Sequence, residues 1–514
     1  MVEAIAELLG ALGAASTHFL SIKALGFLFA GTCIGLLFGA VPGLGGTTAL
    51  ALLIPLTFGM EQADAIMLMG GSMAATSTGG SVSAILLNTP GTAPNAATTF
   101  DGFPLARLGR AGEAIGAAAT ASALGGLIGV FTLLAVIPIA KQIVLLFSPP
   151  EFFLLAVFGL VAVAVSTGER TLQALIAGVI GFICAFVGED LITATIRYTY
   201  DVEALQDGIK LVPALIGIFA ISQMIDLAVK GGSITDDPSA VKIQSVGSGV
   251  IAVFRNWSTM LVGSGIGTFI GAVPGVGGTV AGFLSYSTQV QRDPNPDIPY
   301  GQGNIRGVIA PEAANNAKDG GSMIPTIAFG IPGSAETAVF LGAMVLHGLE
   351  PGPTLLNDHE DVVFTLVLSL TVACVLATLV VLLLARPMAY LTLLDGHVLV
   401  PVVTVVALVG AYALENEFAH VIMALVFGII GYLLIRFQYP RITFTIALVL
   451  GEITERSFFQ ALGLSDGSYA IFFTRQVSLI LIAMIVLSLT IPGLRSIMRR
   501  RKAAQGKAAQ GGAA

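Results

Sequence analysis

The chain has 514 residues, of which 55% are hydrophobic and 11% charged, with 62 glycines, a formal net charge of −7 and a mean hydropathy of +0.90. Soluble domains carry about 25% charged residues, so this composition excludes a soluble enzyme, a nucleic-acid binder and a disordered hub. The apolar runs are long and unbroken rather than alternating, which excludes a membrane β-barrel and defines an all-α, polytopic membrane protein.

A bilayer core takes about 20 apolar residues per helix. In chain order the candidate spans are 20–41, 63–88, 114–140, 151–166, 172–188, 209–229, 249–273, 322–349, 361–385, 398–414, 420–435 and 476–494. The pieces 46–58, 277–286 and 442–450 are apolar but too short to cross alone. Together they give roughly 11–14 helices and half-helices. The N-terminus carries Glu3 and Glu7 and no basic region, unlike a cleavable signal peptide. Cys33, Cys184 and Cys374 lie far apart in apolar runs and read as small buried residues.

Charge and turn residues divide the chain. Residues 1–230 form one membrane repeat, 231–248 a polar linker with Asp236-Asp237-Pro238, and 249–494 a second repeat. Residues 495–514 read as a basic, disordered tail, with Arg495, Arg499, Arg500, Arg501, Lys502 and Lys507. The positive-inside rule puts that tail in the cytoplasm. Residues 189–210 hold five acidic side chains against Arg197 and Lys210, and are expected on the outer side.

Self-similarity is the strongest signal. GTCIGLLFGAVPGLGGTTA (31–49) and GSGIGTFIGAVPGVGGTVA (263–281) agree at 12 of 19 positions with an offset of 232. A second pair follows in the same order, GGSVSAILLNTPGTA (79–93) and GGSMIPTIAFGIPGSA (320–335).

Each first element opens with glycines four residues apart: Gly31, Gly35 and Gly39, then Gly263, Gly267 and Gly271. That spacing lines one helix face with small residues and lets a second helix come close. Pro-Gly-x-Gly-Gly then interrupts the apolar run. Proline lacks a donor and glycines leave helical dihedrals cheaply, so the helix breaks. A break inside a bilayer frees backbone groups, which are tolerated only inside protein or along a wet cavity. The amides where the helix restarts form an anion site with the positive helix end behind them. Thr47 and Thr279 stand where they can cap the restart or bind a ligand. A single break reads as a structural kink. Two matched pairs of breaks favour a transporter's midplane substrate site.

The candidate substrate residues are Pro42, Gly43, Gly45, Gly46 and Thr47, with Pro274, Gly275, Gly277, Gly278 and Thr279. Around the second breaks they are Asn88, Thr89, Pro90, Gly91 and Thr92, and Pro332, Gly333 and Ser334. The polar run PEAANNAKDGGS (311–322) adds Asn315 and Asn316, with Glu312 and Asp319 as candidates for ion coupling; an ordinary loop over 306–319 is the plain alternative. The matching stretch 69–80 has hydroxyls and no charge, so the two halves are not expected to form a symmetric site. Glu336 reads as a capping or coupling residue. The five histidines show no metal spacing, and neither GxSxG nor a phosphate-binding GxxxxGK[ST] occurs. No metal site, no catalytic residue and no cofactor are expected.

GAVPGLGG, GAVPGVGG, APEAANNA (310–317), IPTIAFGIPGSAETAVFLGA (324–343) and LSDGSYAIFFTR (464–475) resemble the large membrane subunit of the tripartite tricarboxylate transporters, over roughly residues 20–494. The Lys318-Asp319 pair departs from the small residues common there. The resemblance implies two inverted repeats, a small four-helix membrane subunit and a periplasmic solute-binding protein as partners. It also implies import of citrate or other tri- and dicarboxylates across a bacterial inner membrane, driven by co-transported Na⁺ or H⁺ and not by ATP. An inside-negative potential opposes anion entry by about 2.3 kcal/mol per charge per 100 mV, so a cation must offset the charge. Rival readings are a stand-alone carrier or exporter without partners, an anion channel lined by the same breaks, and a membrane-embedded enzyme, for which no acid/base or metal constellation occurs.

Overall fold

In a computed structural model the described residues are 13, 19–190, 194–230, 246–391 and 396–490. The basic tail, nearly all of the linker and the first residues lie outside them, as do positions 491–494 of the last expected span. The first half runs α1 (Ile22–Ala40), α2 (Gly45–Thr57) and α3 (Gln62–Leu87), then a 3-10 turn (Ala93–Thr98), α4 (Thr99–Leu105) and α5 (Ala111–Val144). Next come α6 (Pro149–Ser166), α7 (Thr171–Ala185) and a ribbon of β1 (Gly188–Glu189) and β2 (Ile196–Arg197), antiparallel with Gly188 opposite Arg197. α8 (Leu211–Lys230) closes this half and contains a π-helical stretch at Ile216–Ile221.

The second half runs α9 (Val246–Arg255), α10 (Trp257–Gly271), α11 (Gly277–Arg292), α12 (Arg306–Phe329), α13 (Ala335–Leu346) and α14 (Pro353–Asp358). It continues through α15 (Glu360–Leu391), α16 (Gly396–Ala413), α17 (Phe418–Arg436), α18 (Arg441–Gly463), α19 (Ile471–Thr474) and α20 (Gln476–Thr490).

Six helices among the described residues are long and apolar enough to cross a membrane: α1, the continuous stretch Ala93–Val144, α6, α8, α15 within Glu360–Met388, and α17. Their outward faces carry exposed Phe131, Leu383 and Phe418, which suits a hydrocarbon solvent. The interior is the reverse. α3 and α12 are buried along nearly their whole length, yet α3 holds Ser72, Thr76, Ser77 and Thr78 and α12 holds Glu312, Asn315, Asn316, Lys318 and Asp319. At 26 and 24 residues and about 1.5 Å per residue, each is longer than a hydrocarbon core of about 30 Å.

Glycine spacing explains how these polar helices are enclosed. A Cβ on Gly31, Gly35 or Gly39 would run into the carbonyl oxygens of Leu68, Ser72 and Thr76. On Gly263, Gly267 or Gly271 it would meet those of Ala310, Ala314 and Lys318 in the same way. Gly125 and Gly129 of α5 press on Ala313 and Ala317 from another side of α12. Close backbone approach, not large side chains, makes these interfaces.

Contacts also cross between the halves. α5 of the first half packs on α12, and α15 of the second packs on α3. α18 packs on α6 and α7, while α16 and α17 pack on α8.

Three sequence expectations change here, and one alternative falls. Span 249–273 is two helices, α9 and α10, parted at Asn256. Span 322–349 is not one helix: α12 stops at Gly330, whose φ of +70° ends it, and α13 restarts after Ser334. The run 306–319 is no loop but the first half of α12. The short piece 442–450 is the start of the 23-residue α18, whose polar C-terminal part hid it from a hydropathy reading.

Candidate functional site

The first pair of breaks is built alike. α1 ends at Ala40 and α2 restarts at Gly45; α10 ends at Gly271 and α11 restarts at Gly277. Gly43 and Gly45 have φ of +88° and +68°, and Gly275 and Gly277 have +69° and +73°. Side chains cost about 1–2 kcal/mol in that region, which is why the motif spends its glycines there. Thr47 and Thr279 do not cap the restarts. Leu44 and Val276 hold the N-cap positions and neither supplies a side-chain bond, so both helices begin with no side-chain cap. A Cβ on Gly45 or Gly277 would meet nothing within 4 Å, so open space lies in front of both.

The neighbours of the two restarts also match. A Cβ on Gly46 would lie 3.1 Å from Glu336 Cγ and 3.2 Å from Thr76 Cγ2. On Gly278 it would lie 2.8 Å from Pro94 Cγ and 2.9 Å from Lys318 Cε. Each restart therefore touches the long polar helix of its own half and the second break of the other. The second breaks pack alike too. Gly91 sits on Gly39 and Gly80, and Gly333 on Gly271 and Ser322. In this packing Gly79, against Leu36, corresponds to Gly321, against Thr268. The two Gly-Gly-Ser triplets are thus one residue out of the register that their letters suggest.

The second breaks spend their hydroxyls locally. Thr92 Oγ1 donates to Asn95 Oδ1, and Ser334 Oγ accepts from the Thr337 amide at 3.2 Å while Thr337 Oγ1 accepts from the Ser334 amide at 2.8 Å. Thr89 Oγ1 donates to the Leu87 carbonyl at 3.3 Å. Asn88 is the exposed, left-handed end of α3, away from the buried polar face.

That face belongs to α12. Glu312, fully buried, accepts from Asn95 Nδ2 (3.0 Å), Thr98 Oγ1 (2.5 Å) and Ser122 Oγ (3.0 Å), all three in the first half. Asn316 Nδ2 donates to the Ala74 carbonyl (3.3 Å) and Thr78 Oγ1 (3.2 Å) of α3. Asn315 is fully buried, and neither its Nδ2 nor its Oδ1 has a partner. Lys318, 1% exposed, stands 2.6 Å from Asp319 Oδ1 and 3.4 Å from Glu336 Oε2. Asp319 Oδ2 has no hydrogen-bond partner.

The structure thus links the restarts at Gly46 and Gly278 through Glu336 and Lys318, with Asp319 on the same lysine and the Gly275 amide bonded to the Gly333 carbonyl. It gives Glu312 and Asn316 to contacts between halves and leaves Asn88 aside. Sequence reading missed Thr98 and Ser122 as partners of Glu312, since nothing local marks a bond across some 200 positions. It also passed over His420, which is buried 3.5 Å from Glu415 and 3.9 Å from Glu417; Lys210 stands 3.8 Å from the same Glu415.

Apolar helices around a glycine-packed polar core define a multi-pass helical membrane protein. The sequence model of the Tripartite tricarboxylate transporter TctA family matches residues 25–446, and the chain belongs to that family. Its members are transporters, so this is a transport protein and not an enzyme. The "uncharacterized 52.8 kDa protein in TAR-I ttuC' 3'region" of Agrobacterium vitis is 31% identical over 484 residues, covering 92% of this chain and 94% of the relative. The "uncharacterized protein in TAR-II ttuC' 3'region" of the same organism is 30% identical over 235 residues, covering 46% of this chain and 97% of the relative. No solved structure matches the chain.

Proposed function

We infer that this chain is the large transmembrane subunit of an ion-coupled secondary importer of tricarboxylates or related organic carboxylates. It works with a periplasmic solute-binding protein and a small membrane subunit in a bacterial inner membrane, with its basic C-terminus in the cytoplasm. Family membership supports the class and the partners. One observation carries the site: two uncapped helix starts, α2 and α11, face open space and are linked through Glu336 and Lys318, with Asn315, both amide atoms unpaired, one turn before Lys318 on α12. A carboxylate suits helix-start amides, since their partial positive charge is fixed in place. The matched packing at offsets of 232 and 242 supports two repeats built alike; in this reading they are inverted and their breaks meet near the midplane.

In this reading the amides from Gly43 to Thr47 and from Gly275 to Thr279 receive the carboxylates, and Asn315 supplies a donor. Asp319, with an oxygen to spare, is the better placed coupling residue. Glu312 has three donors already and ties the halves together. Movement of one half against the other then exposes the region to each side in turn.

The test is uptake of labelled citrate and succinate by cells expressing the chain with and without the two partners, with sodium and proton gradients collapsed separately. Uptake that needs the binding protein and one gradient is expected. Uptake by the chain alone would replace this reading with a stand-alone carrier, and uptake without saturation would replace it with a channel.

A further inference from the structure

The two restarts share a backbone but not a charge. At the first, Gly46 meets Thr76 of its own half; at the second, Gly278 meets Lys318 in the corresponding place. The partner from the opposite half is Glu336 at the first and Pro94 at the second. Thr76 and Pro94 do the packing without charge, so the scaffold does not require an ion pair there. Thr76 Oγ1 donates only to the Ser72 carbonyl of its own helix, at 2.7 Å.

Lys318 and Glu336 nevertheless reach each other across the space between the restarts, 3.4 Å apart. A buried ion pair is weak support for stability, because desolvation offsets its attraction. Retention here calls for another reason. Lys318 holds Asp319 more tightly, at 2.6 Å, than Glu336. Glu336 is also the carboxylate that stands beside the start of α2, against Gly46. It sits on the first turn of α13, one residue after Ala335. Asn315, one helical turn before Lys318 on α12, has both amide atoms free of partners.

We propose that Lys318 is the countercharge for a carboxylate of the transported substrate, and that Glu336 holds that place until the substrate displaces it. The inference rests on the carboxylate-transport reading and sharpens it. The substrate carboxylate enters an exchange of ion pairs in which Lys318 keeps Asp319 and trades Glu336 for the substrate. Glu336 stays on the first turn of α13, where a negative charge is favoured. The resulting specificity is for anions with a carboxylate at one end, against neutral or cationic molecules of equal size.

The experiment is equilibrium binding of citrate and succinate to the purified full chain in detergent, with choline as the cationic control. Lys318→Met alone leaves Asp319 and Glu336 without their cation and is expected to fold poorly. The informative variants are therefore Glu336→Gln and the neutral triple Lys318→Met, Asp319→Asn and Glu336→Gln. Glu336→Gln removes the competitor and is expected to tighten binding at least threefold. The triple variant is expected to weaken it at least tenfold while eluting as a folded species. Unchanged binding by the triple variant, or weakening of Glu336→Gln to the same degree, overturns the proposal while leaving carboxylate transport standing. A wild-type chain that binds neither acid overturns the transport reading itself and this inference with it.

Discussion

The junctions at Gly46 and Gly278 are the same piece of engineering used twice. Both restart a helix after two left-handed glycines, both lack a side-chain cap, and both face open space. They differ in what touches them from the long polar helix. Thr76 gives the first junction a hydroxyl already bonded to its own helix, and Lys318 gives the second a buried cation with two carboxylates. In the proposed reading, the repeat sets where the substrate sits and departures from the repeat set which substrate it is.

The harshest way to break the comparison is to remove what both halves share. Gly35→Leu and Gly267→Leu each drive a side chain into a backbone carbonyl, of Ser72 and Ala314 respectively. Each is expected to cost about 3 kcal/mol or more, read as equal loss of monodisperse protein on size exclusion. A large loss in one half alone would mean the two halves are not built alike.

Next in size is the tie between halves. Glu312→Ala leaves the donors of Asn95, Thr98 and Ser122 without their acceptor. At about 1 kcal/mol or more for each buried unpaired group, a loss of roughly 3 kcal/mol is expected, seen as a lower melting midpoint. Gly70, at the matching place on α3, contacts the Ser369 side chain instead; in Gly70→Ala a helix-propensity gain of about 0.5–1 kcal/mol offsets the tighter packing, and the net cost is expected to be well below that of Glu312→Ala.

Substitutions at the restarts sharpen the comparison without collapsing the fold. In Gly45→Leu together with Gly277→Leu the added Cβ atoms meet no neighbour within 4 Å, though φ is strained. A strain of about 1–2 kcal/mol per site leaves an inserted protein, and uptake is expected to fall more than tenfold. Full uptake by a normally inserted double variant would remove both restarts from the substrate site. The smallest effect belongs to Thr76→Val, which loses one local bond worth about 1 kcal/mol. Its KM for carboxylate is expected to move less than threefold.

Much of this was legible in the letters. Gly-xxx-Gly-xxx-Gly announced close helix contact, and Pro-Gly-x-Gly-Gly announced the breaks at Gly43 and Gly275. What the letters hid follows from physics that acts at a distance. Hydropathy reads 322–349 as one span because it does not register the left-handed Gly330. It leaves a loop over 306–319 open because it does not know that Glu312 finds its donors in the other half. Ser334 and Thr92 looked like ligands by type, yet their hydroxyls bond the side chain or amide three residues on. Asn315 looked no different from Asn316, and only packing shows that one is bonded and the other is not.

The most direct test of a carboxylate space between the restarts is substrate protection. With Cys33, Cys184 and Cys374 replaced by serine, a cysteine is placed by Gly45→Cys or by Gly277→Cys, and its labelling by a charged thiol reagent is timed with and without saturating citrate or succinate. The account predicts that one of these acids slows labelling at both positions by at least fivefold. Equal rates with and without either acid, in a protein that still takes it up, would contradict it.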